Sequence, residues 1–202
     1  MPYRGKRTLD IAIAVPMFIL TLPVQAFAAL GILATMGSPV LFAQERPGLG
    51  GKPFVMRKFR TMRPIDPDRG WIDDASRMTY LGAFLRSTSI DELPAIWNIV
   101  SGDMSLVGPR PLLMRYLDRY SPEQARRMEV APGLTGLAQV SGRNAQSWGE
   151  RFAYDVTYVD NCSLGLDIRI LARTAWTVLR REGVSAEGEA TMSEFWGSAP
   201  NR

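Results

Sequence analysis

Ile11-Ala-Ile-Ala-Val-Pro16-Met-Phe-Ile-Leu-Thr21-Leu-Pro23-Val-Gln-Ala-Phe-Ala-Ala-Leu-Gly31-Ile-Leu-Ala-Thr-Met36 is a run of 26 residues without a charge. It exceeds the roughly 20 apolar residues that a helix needs to cross a bilayer core, so it reads as a membrane element. A cleaved signal peptide is the first rival. Residues 26–29 resemble a cleavage site, but the run is longer than the roughly 7–15 residues of a signal-peptide core. A plain spanning helix would place Arg4, Lys6 and Arg7 opposite the rest of the chain. With that remainder in the cytoplasm, the arrangement opposes the positive-inside tendency. An interior proline removes a backbone hydrogen bond and bends a helix. A bend at Pro23 leaves an arm of residues 11–22 about 18 Å long at ~1.5 Å per residue. That reaches partway through a core of about 30 Å. A helix that turns at Pro23 and leaves on the side it entered reconciles charge and proline. A kinked spanning helix accounts for the proline equally well, and the residues alone leave both open.

Outward from this run, the 202 residues suit one compact domain plus a membrane appendage, divided as 1–38 and 39–202. The net charge of +4 conceals a skew, because 21 of the 24 cations are Arg and only Lys6, Lys52 and Lys58 are Lys. Arg grips phosphate through a planar fork of donors, although so general a bias fits genome composition as well. The chain has no histidine, which excludes histidine-ligated zinc hydrolases, histidine-based triads and histidine-ligated haem. Cys162 stands alone, so there is no internal disulfide and no multi-cysteine metal site.

Residues 40–47 and 54–62, separated by a glycine-rich stretch, predict a β-hairpin. Residues 64–74 form a polar loop; its Asp66, Asp68, Asp73 and Asp74 lack EF-hand spacing and read as solvated. Apolar spacing predicts helices over 76–86, 90–100, 152–159 and 166–181. Ser121-Pro-Glu-Gln124 carries the signature of a helix start. The last helix interleaves Ile170, Leu171 and Trp176 with Arg169, Arg173 and Arg180, a pattern suited to a membrane interface or to a packed helix with a solvated face. The expected fold is mainly α with a small β-hairpin, an N-terminal re-entrant membrane helix and a compact cytosolic domain with interfacial amphipathic helices.

Without histidine, any acid, base, nucleophile or metal work falls to carboxylates, and Asp91-Glu92 is the pair in the most constrained setting. Ser89-Ile-Asp-Glu92 also matches a capping box, which explains Glu92 with no chemistry at all. Two rigid arginine settings weigh against that bland reading. Arg110 lies between Pro109 and Pro111, and Arg143 follows Gly142 on a glycine turn. Together they suggest a diphosphate clamp around the acids.

Lys6-Arg-x-x-Asp10, Phe42-x-Gln44-x-Arg46-x-Gly48, Lys58-Phe-Arg-Thr-Met62, Arg86-Ser-x-Ser-x-Asp-Glu-Leu-Pro94, Asn98-x-x-x-Gly102-Asp-Met-Ser-Leu-Val-Gly-Pro-Arg-Pro111, Pro132-Gly-Leu-Thr-Gly136 and Gln139-Val-x-Gly-Arg-Asn144 follow one another in order. Together they resemble the bacterial sugar transferases, the monotopic polyprenyl-phosphate phosphoglycosyl transferases. The resemblance implies that Asp91 attacks the β-phosphorus of a UDP-sugar, releases UMP and carries the phosphosugar until undecaprenyl phosphate takes it. It further implies that Glu92 holds Mg²⁺, that Arg110 and Arg143 position phosphates with Arg86 and Lys58, and that Asp155 is a polar site residue. Pro23 becomes the membrane kink, at the cytoplasmic face of the bacterial inner membrane. Family members often carry Ser before that proline; this chain has Leu22, with Thr21 one residue earlier. The ending, Glu182-Gly-Val-Ser-Ala-Glu-Gly-Glu-Ala-Thr191 with Glu194-Phe195, is similar to members that use UDP-N,N'-diacetylbacillosamine, which points to that sugar or a related UDP-N-acetylhexosamine. The implied partners are UDP-sugar, undecaprenyl phosphate, membrane lipid and downstream glycosyltransferases, with no nucleic acid. The rival classes are a non-catalytic membrane-tethered polyanion binder and a structural scaffold.

Overall fold

The computed structural model describes residues 2–142, 146–180 and 194–197. Its longest element is α1 (Lys6–Met36), which holds both Pro16 and Pro23. Among the described residues it is the one helix long and apolar enough to cross a membrane, with a mean hydropathy of 2.0. Thr21 stands two residues before Pro23 and donates its hydroxyl to Met17 O at 2.7 Å and Phe18 O at 3.1 Å, while accepting from Gln25 Nε2. Such back-bonding favours a bend.

Both ends of α1 are tied to the same body. At the start, the buried Lys6 Nζ donates to Val107 O, the Tyr158 hydroxyl and Asp167 Oδ2 at 3.0, 3.0 and 2.7 Å. Asp10 accepts from the Ser105 hydroxyl and Leu106 N, and Arg7 donates to Ile99 O and Val100 O. At the far end, Arg60 donates to Met36 O at 2.7 Å, and Ala28 and Ile32 pack against Phe59 and Leu85. The middle is bare, with Leu20 77% and Phe27 76% exposed.

The hairpin forms as expected: β1 (Leu41–Pro47) pairs antiparallel with β2 (Pro53–Phe59). A second, parallel pair joins β3 (Ser105–Val107) to β4 (Gly133–Thr135). The sequence carried no sign of it, since three residues are too few to show alternation. Glycine permits its close approach: a Cβ on Gly133 would lie 2.1 Å from Gly108 N, and one on Gly108 would lie 2.4 Å from Ala131 O.

The expected helix over 76–86 is two pieces, α2 (Asp74–Arg77) and α3 (Tyr80–Ser87). Met78 is instead extended in a bridge to Met62, and Thr79 caps α3 through Gly82 N. The expected helix over 90–100 is a 3₁₀ segment, Ile90–Ala95, followed by α4 (Ile96–Ser101). Pro94 lies within the 3₁₀ segment, where it can supply no N–H to an α-helical ladder. Ser121 does form its capping box, but α5 (Pro122–Ala125) passes at once into the 3₁₀ segment Arg126–Glu129. After α6 (Leu137–Ser141), the last two helices start earlier than their apolar spacing indicated, as α7 (Trp148–Asn161) and α8 (Leu164–Arg180), and residue 181 of the expected last helix lies outside the described residues.

Two apolar clusters organise the body. The larger contains Ala14, Ala95, Ile96, Ile99, Val107 and Tyr158 among others; the smaller contains Ala28, Ile32, Phe59 and Leu85. Ala95 sits in the first and Ile90 packs on the second, so the 3₁₀ segment between them bridges both. A third cluster joins Leu112, Tyr116 and Phe152 to Phe195.

Candidate active site

The bridging 3₁₀ segment carries Asp91 and Glu92 and lies against β2. Successive strand residues point to opposite faces: Phe59 enters the smaller cluster, while Lys58 reaches Glu92 Oε1 at 2.5 Å. Asn98 fixes β2 to α4, donating to Val55 O at 2.9 Å and accepting from Arg57 N at 3.4 Å. Arg110 completes the arrangement, with Nη2 on Glu92 Oε1 and Nη1 on Oε2 at 3.3 Å.

The expected capping box at Ser89 is absent. Ser89 adopts a left-handed conformation at φ 57 and caps nothing with its side chain. The Glu92 carboxylate turns to Lys58 and Arg110 because two cations outbid one neutral backbone N–H. The short 3₁₀ turn also lacks the aligned dipoles of a long helix, so the positive field here comes from side chains.

The two adjacent acids are in opposite electrostatic states. Burial and the neighbouring Glu92 charge push Asp91 up from 3.8 to about 6, against the partial relief of Lys58, Arg86 and Arg110. Burial alone would also raise Glu92, but Arg110 and Lys58 more than offset it and hold that carboxyl well below the usual range. Asp91 is 9% exposed and accepts no hydrogen bond from any described residue. Such divergence between neighbouring titratable groups marks a division of roles.

The Arg110 loop is held at three successive carbonyls. Pro109 O accepts from Gly133 N at 3.0 Å, Arg110 O from Arg127 Nη2 at 2.7 Å, and Pro111 O from Arg46 Nη1 at 3.4 Å. Arg127 is itself locked in place. Its Nε and Nη2 bind Asp155 Oδ2 at 3.0 and 2.8 Å, its Nη1 meets the Tyr120 hydroxyl, and the Tyr120 and Phe152 rings lie near its guanidinium. Burial alone would lower Arg127, but Asp155 reverses that and leaves it raised.

The structure thus brings together Asp91, Glu92, Lys58 and Arg110. Arg86 joins through its charge on Asp91, while its Nε donates to the Thr61 hydroxyl at 3.0 Å. Asp155 reaches the group only through Arg127, and Arg143 lies outside the described residues. Arg127 escaped sequence reasoning because, beside Arg126, it resembles a solvated surface cation. Arg46 was visible only as a member of its motif.

For Mg²⁺, the described residues contain no group of three or more His, Cys, Asp or Glu side chains. An ion bound through one or two carboxylates, water and substrate phosphates needs no such group. Asp91 and Glu92 fit that sparse mode, with Glu92 first releasing part of its hold on Lys58 and Arg110.

A family model described as bacterial sugar transferase matches residues 1–181. This chain belongs to the bacterial sugar transferase family. It is 47% identical over 194 residues to the uncharacterized sugar transferase EpsL of Bacillus subtilis, covering 96% of each protein. It is 44% identical over 189 residues to a UDP-glucose:undecaprenyl-phosphate glucose-1-phosphate transferase of Caulobacter vibrioides, covering 86% of this chain and 69% of that one. It is also 38% identical to an undecaprenyl-phosphate galactose phosphotransferase of Salmonella typhimurium, spanning 41% of that longer protein. In this sugar transferase every described site element, from β1 to α7, falls inside the matched region.

Proposed function

We propose that this enzyme transfers a sugar 1-phosphate from a UDP-sugar to undecaprenyl phosphate, through a phosphosugar held on Asp91. The observation that carries the reading is the uncommitted Asp91 carboxylate beside a Glu92 locked between two cations. In the first step an Asp91 oxygen attacks the β-phosphorus. The bond to the bridging oxygen breaks, and UMP leaves with that oxygen and its electron pair. In the second step an oxygen of the lipid phosphate attacks the same phosphorus and releases Asp91 as carboxylate. Both nucleophiles are anions when they attack, so neither step requires a base, in keeping with a chain that has no histidine. Division into two displacements is covalent catalysis and gives ping-pong kinetics. Arg110 and Lys58 hold the phosphate oxygens in line, and Arg86 adds positive charge beside Asp91. Mg²⁺, held by Glu92 with Asp91, would supply charge neutralisation on the diphosphate.

The lipid substrate requires a site at membrane depth. Attachment of both ends of α1 to one body, with an exposed apolar middle and Thr21 back-bonded before Pro23, supports a re-entrant helix. Its two ends then share the cytoplasmic face of the inner membrane, with residues 39–202 as the cytosolic part. The exposed Leu164, Ile168 and Trp176 of α8, alongside Arg169 and Arg173, support an interfacial helix.

For the sugar, the named relatives point to glucose or galactose, whereas the ending of the chain favours N,N'-diacetylbacillosamine or an N-acetylhexosamine. A panel of UDP-sugars assayed for UMP release with undecaprenyl phosphate decides among them. Asp91→Asn should abolish release with every sugar while the protein stays folded; turnover by this variant would remove Asp91 as nucleophile and reopen the binder and scaffold readings.

A further inference from the structure

Three guanidiniums converge on the Pro109-Arg110-Pro111 loop, and two of them are neutralised there. Arg127 faces Asp155, and Arg110 faces Glu92. Arg46 differs, since its partners among the described residues are neutral: Gln44 Oε1 at 2.6 Å and Pro111 O at 3.4 Å. Its Nε is buried with no acceptor among the described residues. Burial first, and then the Arg110 charge, lower its pKa, and no carboxylate of a described residue contributes to its surroundings. A strut for Pro111 O needs one neutral donor, and at 3.4 Å this bond is long. The full charge is left over, within the field of Arg110 and next in the chain to Pro47, which lines a narrow cleft together with Gly48, Pro109, Arg110, Pro111 and Arg127. A guanidinium without a counter-ion in the field of another cation is costly until an anion arrives, and its planar fork suits phosphate oxygens.

We infer that Arg46 is a substrate-binding residue that takes a phosphate oxygen, from either the nucleotide-sugar or the lipid phosphate, a role that rests on the transferase reading above. Arg46 then joins Arg110 and Lys58 in supplying positive charge to the phosphate site.

Arg46→Gln and Arg46→Lys in the full chain, purified in detergent and checked for an unchanged thermal midpoint, test this by steady-state kinetics. For Arg46→Gln the KM of one substrate should rise at least about tenfold with kcat within about threefold, and Arg46→Lys should fall between it and the wild type, because charge returns without the fork. A raised KM for UDP-sugar with equally weakened inhibition by UMP assigns the nucleotide. A raised KM for undecaprenyl phosphate with UMP inhibition intact assigns the lipid. Unchanged KM values for both, or a loss confined to kcat, overturn the inference and leave Arg46 a strut. Should the wild type release no UMP from any UDP-sugar, the transferase reading fails by itself. Inorganic pyrophosphate binding then becomes the probe, with about tenfold weaker binding by Arg46→Gln supporting an anion site and equal binding removing it.

Discussion

Asp91 and Glu92 share a backbone turn and much of their surroundings, yet their protons are held in opposite senses. Glu92 has two cations within bonding distance; Asp91 has only their more distant charge, and burial wins. Asp91 therefore costs the fold stability. Its folded value of about 6 lies above its unfolded value of 3.8, so stability falls as pH rises between those values and then stays low. In metal-free buffer with a chelator, Asp91→Asn should raise stability at pH 8 by about 1–3 kcal/mol and leave it nearly unchanged at pH 3.5, read as thermal midpoints. An equal gain at both values would show that the carboxylate charge is not the cause. Behind Arg110, Arg127→Lys keeps a cation but loses the fork that joins Asp155 to Arg110 O. Here kcat should drop by about tenfold or more with the UDP-sugar KM little changed, because positioning of Arg110 acts on the transition state. A rise in KM alone would instead make Arg127 a ground-state binding residue.

At the scale of elements, close backbone approaches set the site geometry. A Cβ on Gly82 of α3 would lie 1.9 Å from Thr61 O, so this helix sits directly on the strand-end segment that supports Arg86. Gly82→Ala should destabilise by about 2 kcal/mol or more, seen as a lower thermal midpoint, since the obstructing atom is backbone. Gly165→Ala meets open space and serves as the control. The hairpin and the long helices α7 and α8 were legible because each has a clear period or turn signal. The split of 76–86 was not, since it depends on the Met62–Met78 bridge, and the 3₁₀ form of Ile90–Ala95 was concealed by an apparent capping box. In the first case a tertiary contact overrode a local preference; in the second, Pro94 breaks the α-helical ladder and the ion pairs of Glu92 take its carboxylate away from a cap.

At the scale of the whole molecule, the buried Lys6–Asp167 pair joins the first turn of α1 to α8, a separation of 161 residues. Asp167→Asn should cost about 3 kcal/mol by leaving Lys6 buried without its counter-charge, measurable as detergent-phase thermal stability. The same pair bears on topology, because it holds the start of α1 against the body that carries the site. A cysteine placed at position 2 should be labelled only from the cytoplasm; labelling only from the opposite face would require a spanning helix and a different packing of Lys6. By itself the sequence determined the uncharged 26-residue run, the hairpin, the lack of imidazole chemistry and the motif order around Asp91-Glu92. These are local properties, set by hydropathy, turn chemistry and residue type over a few adjacent positions. Only the tertiary structure decided which of the two acids is paired with cations, which arginine holds Arg110, which arginine at the Arg110 loop lacks a counter-ion among the described residues and where the two ends of α1 attach. Each of those depends on charges brought together by chain return under burial, and no local pattern encodes which distant partner arrives.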